Sequence, residues 1–299
     1  MPRFIKNIQK LAQIAHYPAP KYPQLALLKI EHFKGNLAFM PQSLTLGFYT
    51  IGLKKHLKGY LKYGRKQYDF QEGVLLFTGI NQVINYENLI LEESEGWYLL
   101  FEKSLLVNTP LEKSIERYHF FDYNIDEALH LSEGEEAHLQ GIFASLDEEY
   151  HKPIDTFSKE LLVSHLQMIL MYSERYYKRQ FITRQDGDAS LLIRFEEVLQ
   201  EACALENLSK AGIPSVKNLA EQMHLSSKYL SDALRNLTGI GTQKHIHLRL
   251  VELAKTQLLH HHQNVSEVAF KLGFESHTYF SRFFKKMEGI SPKEFVARH

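Results

Sequence analysis

The C-terminal third of this chain carries one pattern twice. The first copy, VKNLAEQMHLSSKYLSDALRNLTGI, begins at Val216, and the second, VSEVAFKLGFESHTYFSRFFKKMEGI, begins at Val265. Val216 falls on Val265, Leu219 on Val268, Ala220 on Ala269, Met223 on Leu272 and Leu225 on Phe274. After a single inserted residue, Tyr229 falls on Tyr279, Leu230 on Phe280, Ser231 on Ser281, Arg235 on Lys285 and Gly239 on Gly289. Two copies in register restrict this region to two similar supersecondary units, and each has the shape of a short helix, a turn and a longer basic helix.

Hydrophobic spacing supports that shape. Val216, Leu219, Ala220 and Met223 occupy i, i+3, i+4 and i+7, and Val265, Val268, Ala269 and Leu272 repeat the stripe. The small alanines allow close approach of the second helix. In the turns, Gly273 takes a positive φ without steric cost, and His224 stands at the same place in the first copy. Ser226 and Ser227, and Glu275 and Ser276, lie where helix N-caps are needed.

The second helices carry their apolar residues on one side and a polar set on the other. The outward set is Lys228, Ser231, Asp232 and Arg235 in the first copy, and His277, Thr278, Ser281, Arg282 and Lys285 in the second. Small hydroxyls and long cations on an exposed helix suit base edges and phosphates, and Arg282 can bond two acceptors of guanine at once. An ordinary solvated helix face would look the same in a single copy; two copies in register favour nucleic acid. Between the copies, Thr242 can cap a helix whose buried stripe is Ile246, Leu250, Leu253, Ala254 and Leu258. Such a helix spans about 27 Å. That length is suited to holding two recognition helices in successive major grooves, about 34 Å apart.

Charge agrees. The formal net charge is zero, yet residues 208–299 hold 13 Lys and Arg against 7 Asp and Glu, a net of +6, so residues 1–207 carry −6. Only the C-terminal part is suited to meet a polyanion.

The run VSEVAFKLGFESHTYFSRFFKKMEGISPKEF resembles the signature of the AraC/XylS transcription regulators: an Ala in the first helix, then GF, then YFSRFFKK, then G-x-S-P-x-x-F. The resemblance spans about residues 190–299. It implies DNA contacts at the nine outward residues named above, with Asp232 departing from the polar or basic residue usual there. It also implies a DNA-binding, non-enzymatic regulator built as an α+β multidomain chain. An N-terminal cupin-like β-barrel with dimerisation helices would precede an all-α domain of two helix-turn-helix motifs joined by a linker helix. Double-stranded DNA is the implied partner, with a homodimer, RNA polymerase and a small-molecule effector as further ones. The expected domains are 1–132 for the arm and sensor barrel, 133–185 for the dimerisation helices and 186–299 for the DNA-binding domain. Within the last, the motifs fall at about 215–239 and 265–289 around a linker helix at about 242–259.

The N-terminal half is less specific. Phe4, Ile5, Ile8, Leu11, Ala12 and Ile14 predict a short amphipathic helix ended by Pro18, Pro20 and Pro23. Residues 25–102 read as short strands punctuated by Gly, Pro and Asn. Ser132 can cap a helix with acids in its first turn. Leu162, Leu166, Ile169, Ser173 and Tyr176 fall on one helical stripe, which serves either a dimer interface or packing within the domain. Residues 185–188 (Gln-Asp-Gly-Asp) are the linker candidate. Phe48, Tyr60, Tyr63, Tyr68, Phe77, Trp97 and Phe101 offer an aromatic pocket, with Arg65 or Lys66 to meet an anion; plain core packing is the competing reading.

No metal or cofactor is expected. The single cysteine, Cys203, cannot build a disulfide or a Cys-based zinc site; His32 and His56 stand alone, and His260, His261 and His262 point in different directions on a helix. The N-terminus lacks a signal-peptide core and no apolar run reaches membrane-spanning length, so a cytoplasmic protein is expected. The competing class is a cupin-type small-molecule enzyme or sensor whose helical tail assembles oligomers.

Overall fold

The computed structural model describes residues 3–33, 43–55, 73–85, 95–124, 127–183, 185–259 and 264–298. They form two compact units, 1–180 and 181–299.

The first unit is built on two sheets. Strands β2 (Leu25–Lys29), β4 (Tyr49–Lys55), β5 (Val74–Thr78), β7 (Glu95–Phe101) and β8 (Leu129–His130) form an antiparallel sheet in the order β2-β7-β4-β5-β8. Strands β1 (Arg3–Ile5), β3 (Ser43–Leu46) and β6 (Val83–Asn85) form a second sheet in the order β1-β3-β6. The described residues therefore make a pair of open sheets and not the closed barrel expected. The arm also departs from expectation at its start: Phe4 and Ile5 belong to β1, which pairs in parallel with β3, and the helix α1 is confined to Ile8–Ile14.

Strand parity decides which residues meet. Ala26, Leu28, Tyr98 and Leu100 lie on one face of the larger sheet and pack with Ile5, Ile8, Leu11, Leu44, Leu46, Phe48 and Ile84. The opposite face meets helices and turns. There Trp97 stacks on Phe143 of α3 (Glu133–His151), and Phe77 packs against Phe120, Phe121 and Tyr177. A four-residue helix α2 (Leu111–Ser114) precedes this cluster. The Ser132 cap forms as expected, and Glu135 completes a capping box. Arg179 on α4 (Ser158–Thr183) then joins the two helices, its Nε donating to Glu135 at 3.0 Å and its Nη2 to the His130 carbonyl at 2.8 Å.

The second unit is helical: α5 (Gln185–Ala202), α6 (Leu205–Ala211), α7 (Val216–Gln222), α8 (Ser227–Thr238), α9 (Thr242–Leu259), α10 (Val265–Lys271), α11 (His277–Glu288) and α12 (Pro292–Arg298). Residues 185–188, read from their composition as a linker, are the first turn of α5. One core joins all eight helices, with Phe195, Leu219, Ala220, Leu230, Leu234, Ile246, Leu250, Val268, Ala269, Phe280, Phe284 and Phe295 among its members. Cys203 is buried in this core, and burial pushes its thiol up to about 11, so it packs as an inert apolar group.

Candidate nucleic-acid interface

Each repeat is assembled by local chemistry. In the first, Ser215 and Asn218 form a capping box at α7, His224 turns the chain with φ +58°, and Ser226 accepts from the Tyr229 amide to cap α8. In the second, Asn264 and Glu267 form the box at α10, Gly273 turns with φ +78°, and Ser276 caps α11. The extra residue of the second copy sits in this turn: α7 and α8 are separated by residues 223–226, α10 and α11 by 272–276. Glycine is required at 273 for a second reason. A Cβ there would lie 2.7 Å from the Leu208 carbonyl oxygen of α6 and 2.9 Å from the Cα of Gly212, where α6 ends. Gly239 and Gly289 close α8 and α11 in the left-handed conformation.

The outward residues fare differently in the two copies. On α11, His277, Thr278, Arg282 and Lys285 are exposed, Ser281 is half-buried, and no ion pair engages Arg282 or Lys285 among the described residues. Of the four outward residues on α8, Lys228 is exposed and in no ion pair among the described residues. Arg235 Nη1 donates to Asp232 at 3.1 Å, and the guanidinium lies against Gly241. Ser231 is half-buried and shares a hydrogen bond of 3.1 Å with the buried Thr242 hydroxyl at the start of α9. The equivalent of Thr242 in the second copy is Pro292, so Ser281 has no such hydroxyl to meet. Tyr229 and Tyr279 diverge as well: Tyr229 is buried against Phe181, while Tyr279 is 63% exposed.

Sequence reasoning left out two cations beside the second motif. Lys244 on α9 and Lys286 on α11 flank His247, whose pKa is lowered by burial first and by those two ammonium groups next. Their convergence depends on how α9 packs on α11, which helical spacing within either segment does not encode. His245 is likewise lowered by burial; it bonds Thr238 at 2.8 Å and packs on Phe195, a structural role.

Among the described residues, those proposed for the N-terminal pocket fall on two sides of the larger sheet. Phe48 lies between the two sheets, whereas Phe77 and Trp97 are on the other face of the larger sheet, against helices. These three therefore lie apart, Phe48 in the cluster between the sheets and Phe77 and Trp97 against helices and turns. Tyr60, Tyr63, Arg65, Lys66 and Tyr68 lie outside the described residues, as do His260, His261 and His262. The stripe Leu162, Leu166, Ile169, Ser173 and Tyr176 is buried in its own unit, which removes it from the surface. Ser173 donates to the Ile169 carbonyl, and the Tyr176 hydroxyl pairs with His138. Among the described residues, no cluster of His, Cys, Asp and Glu could hold a metal ion, and no helix is long and apolar enough to cross a membrane.

Two basic helix-turn-helix motifs sharing one core across a rigid helix define a tandem helix-turn-helix domain. Residues 219–298 match a family model described as a helix-turn-helix domain. An uncharacterised HTH-type transcriptional regulator of Staphylococcus aureus is 22% identical over 219 residues, which is 71% of this chain and 27% of that protein. The uncharacterised HTH-type transcriptional regulator YisR of Bacillus subtilis is 30% identical over 81 residues, 27% of this chain and 28% of that one. The chain thus matches little more than a quarter of the length of these relatives. Among solved structures, the C-terminal domain of the two-component response regulator yesN from Fusobacterium nucleatum is 32% identical, with 34% of this chain and 96% of that one covered and a TM-score of 0.30.

Proposed function

We propose that the protein is a sequence-specific DNA-binding transcription regulator whose two motifs read successive major grooves. The observation that carries this reading is α11: its exposed face presents His277, Thr278, Arg282 and Lys285, with neither cation in an ion pair among the described residues. A cation without an internal partner can bond phosphate or guanine without first breaking a contact. In the same reading α8 supplies Lys228 as its outward cation, and Arg235 exchanges Asp232 for DNA at a cost. The second motif then dominates base recognition, and one protomer reads an asymmetric site.

The N-terminal unit serves as sensor and pairing domain in this reading. A homodimer would use the side of α4 away from the buried stripe, where Leu161, Met168 and Met171 are exposed, with Phe157 just before the helix. An effector would act through the first unit, and RNA polymerase would meet the DNA-bound protein.

The test is a gel shift of the full chain against its own upstream DNA and an unrelated duplex. Arg282→Ala should cost about 1–3 kcal/mol on the specific site and relax preference at one base step. Undiminished preference in that variant removes the role assigned to Arg282. Equal affinity for both duplexes in the unaltered protein would point to an architectural binder, and no shift at all to a tail that only assembles oligomers.

A further inference from the structure

The seam between α9 and α11 is neutralised at one end only. Towards the end of α9, Lys255 meets Glu252 at 3.1 Å and Glu288 of α11 at 2.9 Å. About three turns earlier on α9, Lys244 is exposed and in no ion pair among the described residues; its ammonium lies 3.7 Å from the Met287 sulfur of α11, a weak acceptor. Lys286 of α11 is exposed too, and it is also in no ion pair among the described residues.

His247 stands with these two cations. It is half-buried, with its ring edge-on to Phe283 and the centroids 5.3 Å apart. Gln243 Nε2 lies 2.8 Å from His247 Nε2; an amide nitrogen only donates, so that ring nitrogen accepts and the ring is uncharged. The charged groups that bear on it are Lys244 from its own helix and Lys286 from α11, both positive. Helices α8, α10 and α12 also pack on α9 and bring no charge to His247 among the described residues. Burial first, and the two ammonium groups next, hold its pKa below the ordinary 6.5.

Two ammonium groups beside an imidazole, balanced by no acid among the described residues, suit an anion with several oxygens. Position on α11 selects that anion. Lys286 is four residues beyond Arg282, one turn further along the same side of the helix. With Arg282 on base edges, the next turn, about 6 Å on, leaves the groove where a phosphate strand forms its wall. Resting on the DNA-binding reading above, we propose that Lys244, His247 and Lys286 hold one backbone phosphate of bound DNA, and that His247 takes up a proton as the phosphate arrives. The charge of the phosphate offsets the two ammonium groups, so the ring holds its proton more tightly in the complex than in the free protein. Gln243, which is exposed, turns its amide to offer the oxygen to the protonated ring. Affinity then rises as pH falls through the value of the complex and levels off below the lower value of the free protein.

The test is a gel shift of the full chain, resolved in pH and in salt, on its own upstream duplex and on an unrelated one. From pH 8 to pH 6 at fixed salt, binding to both duplexes should tighten by about tenfold per protomer through His247, the effect of a one-unit rise in its pKa. His247→Gln should lose that part of the rise. His277→Gln, which alters the histidine on the exposed face of α11, should keep it. Lys244→Gln and Lys286→Gln should each weaken binding to both duplexes by the same factor and make the slope of log K against log salt shallower by about 0.9 per protomer. If His247→Gln does not fold, carbon-13 NMR of the histidine rings in the unaltered protein reads the same event: the pKa of His247 must rise when the duplex is added. A rise in affinity that survives whole in His247→Gln, or that disappears in His277→Gln, overturns the proton uptake, as does a ring whose pKa stays put on adding DNA. Unchanged salt slopes in both lysine variants overturn the phosphate site. Either result leaves the regulator standing where the unaltered protein still prefers its own duplex. No shift of either duplex by the unaltered protein removes the regulator and the site with it.

Discussion

Lys54 carries a buried ammonium in the first unit. It sits on β4, on the same face as Thr50, between strands β5 and β7, and is 7% exposed. Burial pushes its ammonium down to about 8 from the ordinary 10.5. The sign follows from which state binds the proton more weakly. Below pH 8 both folded and unfolded chains are protonated, and the folded state bears the whole penalty of about 3 kcal/mol. Between pH 8 and 10.5 the folded chain releases its proton first and the penalty fades. Lys54→Met should therefore be more stable than the unaltered protein at pH 7, and the gap should narrow at pH 10. Denaturant unfolding at the two pH values measures this; a gap that does not change with pH would mean the ammonium is not desolvated as placed. At the same scale, Arg235 and Arg282 are not equivalent arginines. Arg235→Ala removes a side chain already bonded to Asp232, so it should weaken DNA binding less than Arg282→Ala in the same gel shift.

Individual elements explain what was legible in the sequence and what was not. The tandem motifs were readable because their information is local: a 3.6-residue stripe, a capping residue and a turn residue lie within one short segment. His224, Gly273, Ser226 and Ser276 all take the backbone roles their chemistry favours. The sheets were not readable in the same way. β1 pairs with β3 and β2 with β7 across long stretches of chain, so whether the sheets close is not fixed by any one strand. Which aromatic residues share a side was likewise not legible: Phe48 packs between the sheets and Phe77 on the other side of the larger one. Helix α4 failed on ambiguity. It bears two apolar stripes of similar spacing, one through Leu162, Leu166 and Ile169 and one through Leu161, Met168 and Met171, and only tertiary packing decides which is covered. Met171 on the second stripe is 54% exposed, and a row of exposed large apolar side chains marks a contact surface. If it pairs two protomers, Leu161→Asp should halve the mass seen by sedimentation and change stability by less than about 0.5 kcal/mol. Leu166→Asp should instead unfold the first unit. An unchanged mass for Leu161→Asp, or a monomeric unaltered protein, would exclude this surface.

At the scale of the whole molecule, charge is partitioned by function. A chain of zero net charge has no general attraction to DNA, yet its last 92 residues carry +6 and the remainder −6. In the DNA-binding reading proposed above, the acidic remainder would oppose non-specific adsorption, while the basic region would bind phosphates at short range, where screening by the rest of the chain is weakest. Such binding must depend on salt in a countable way, because each neutralised phosphate releases counterions and adds about −0.9 to the slope of log K against log salt. Lys285 lies on the exposed face of α11 in no ion pair among the described residues, so in the proposed reading it would meet a phosphate and not a base. Lys285→Ala should weaken binding to specific and unrelated duplexes by the same factor and make the slope shallower by about 1 for each protomer bound. A dimer on paired sites should lose about 2. Arg282→Ala should behave oppositely, narrowing the gap between specific and unrelated DNA. Measured across several salt concentrations on both duplexes, an unchanged slope in Lys285→Ala would take that residue off the DNA backbone. A slope change without loss of preference in Arg282→Ala would move Arg282 from base to phosphate and leave the specificity of α11 to His277 and Thr278.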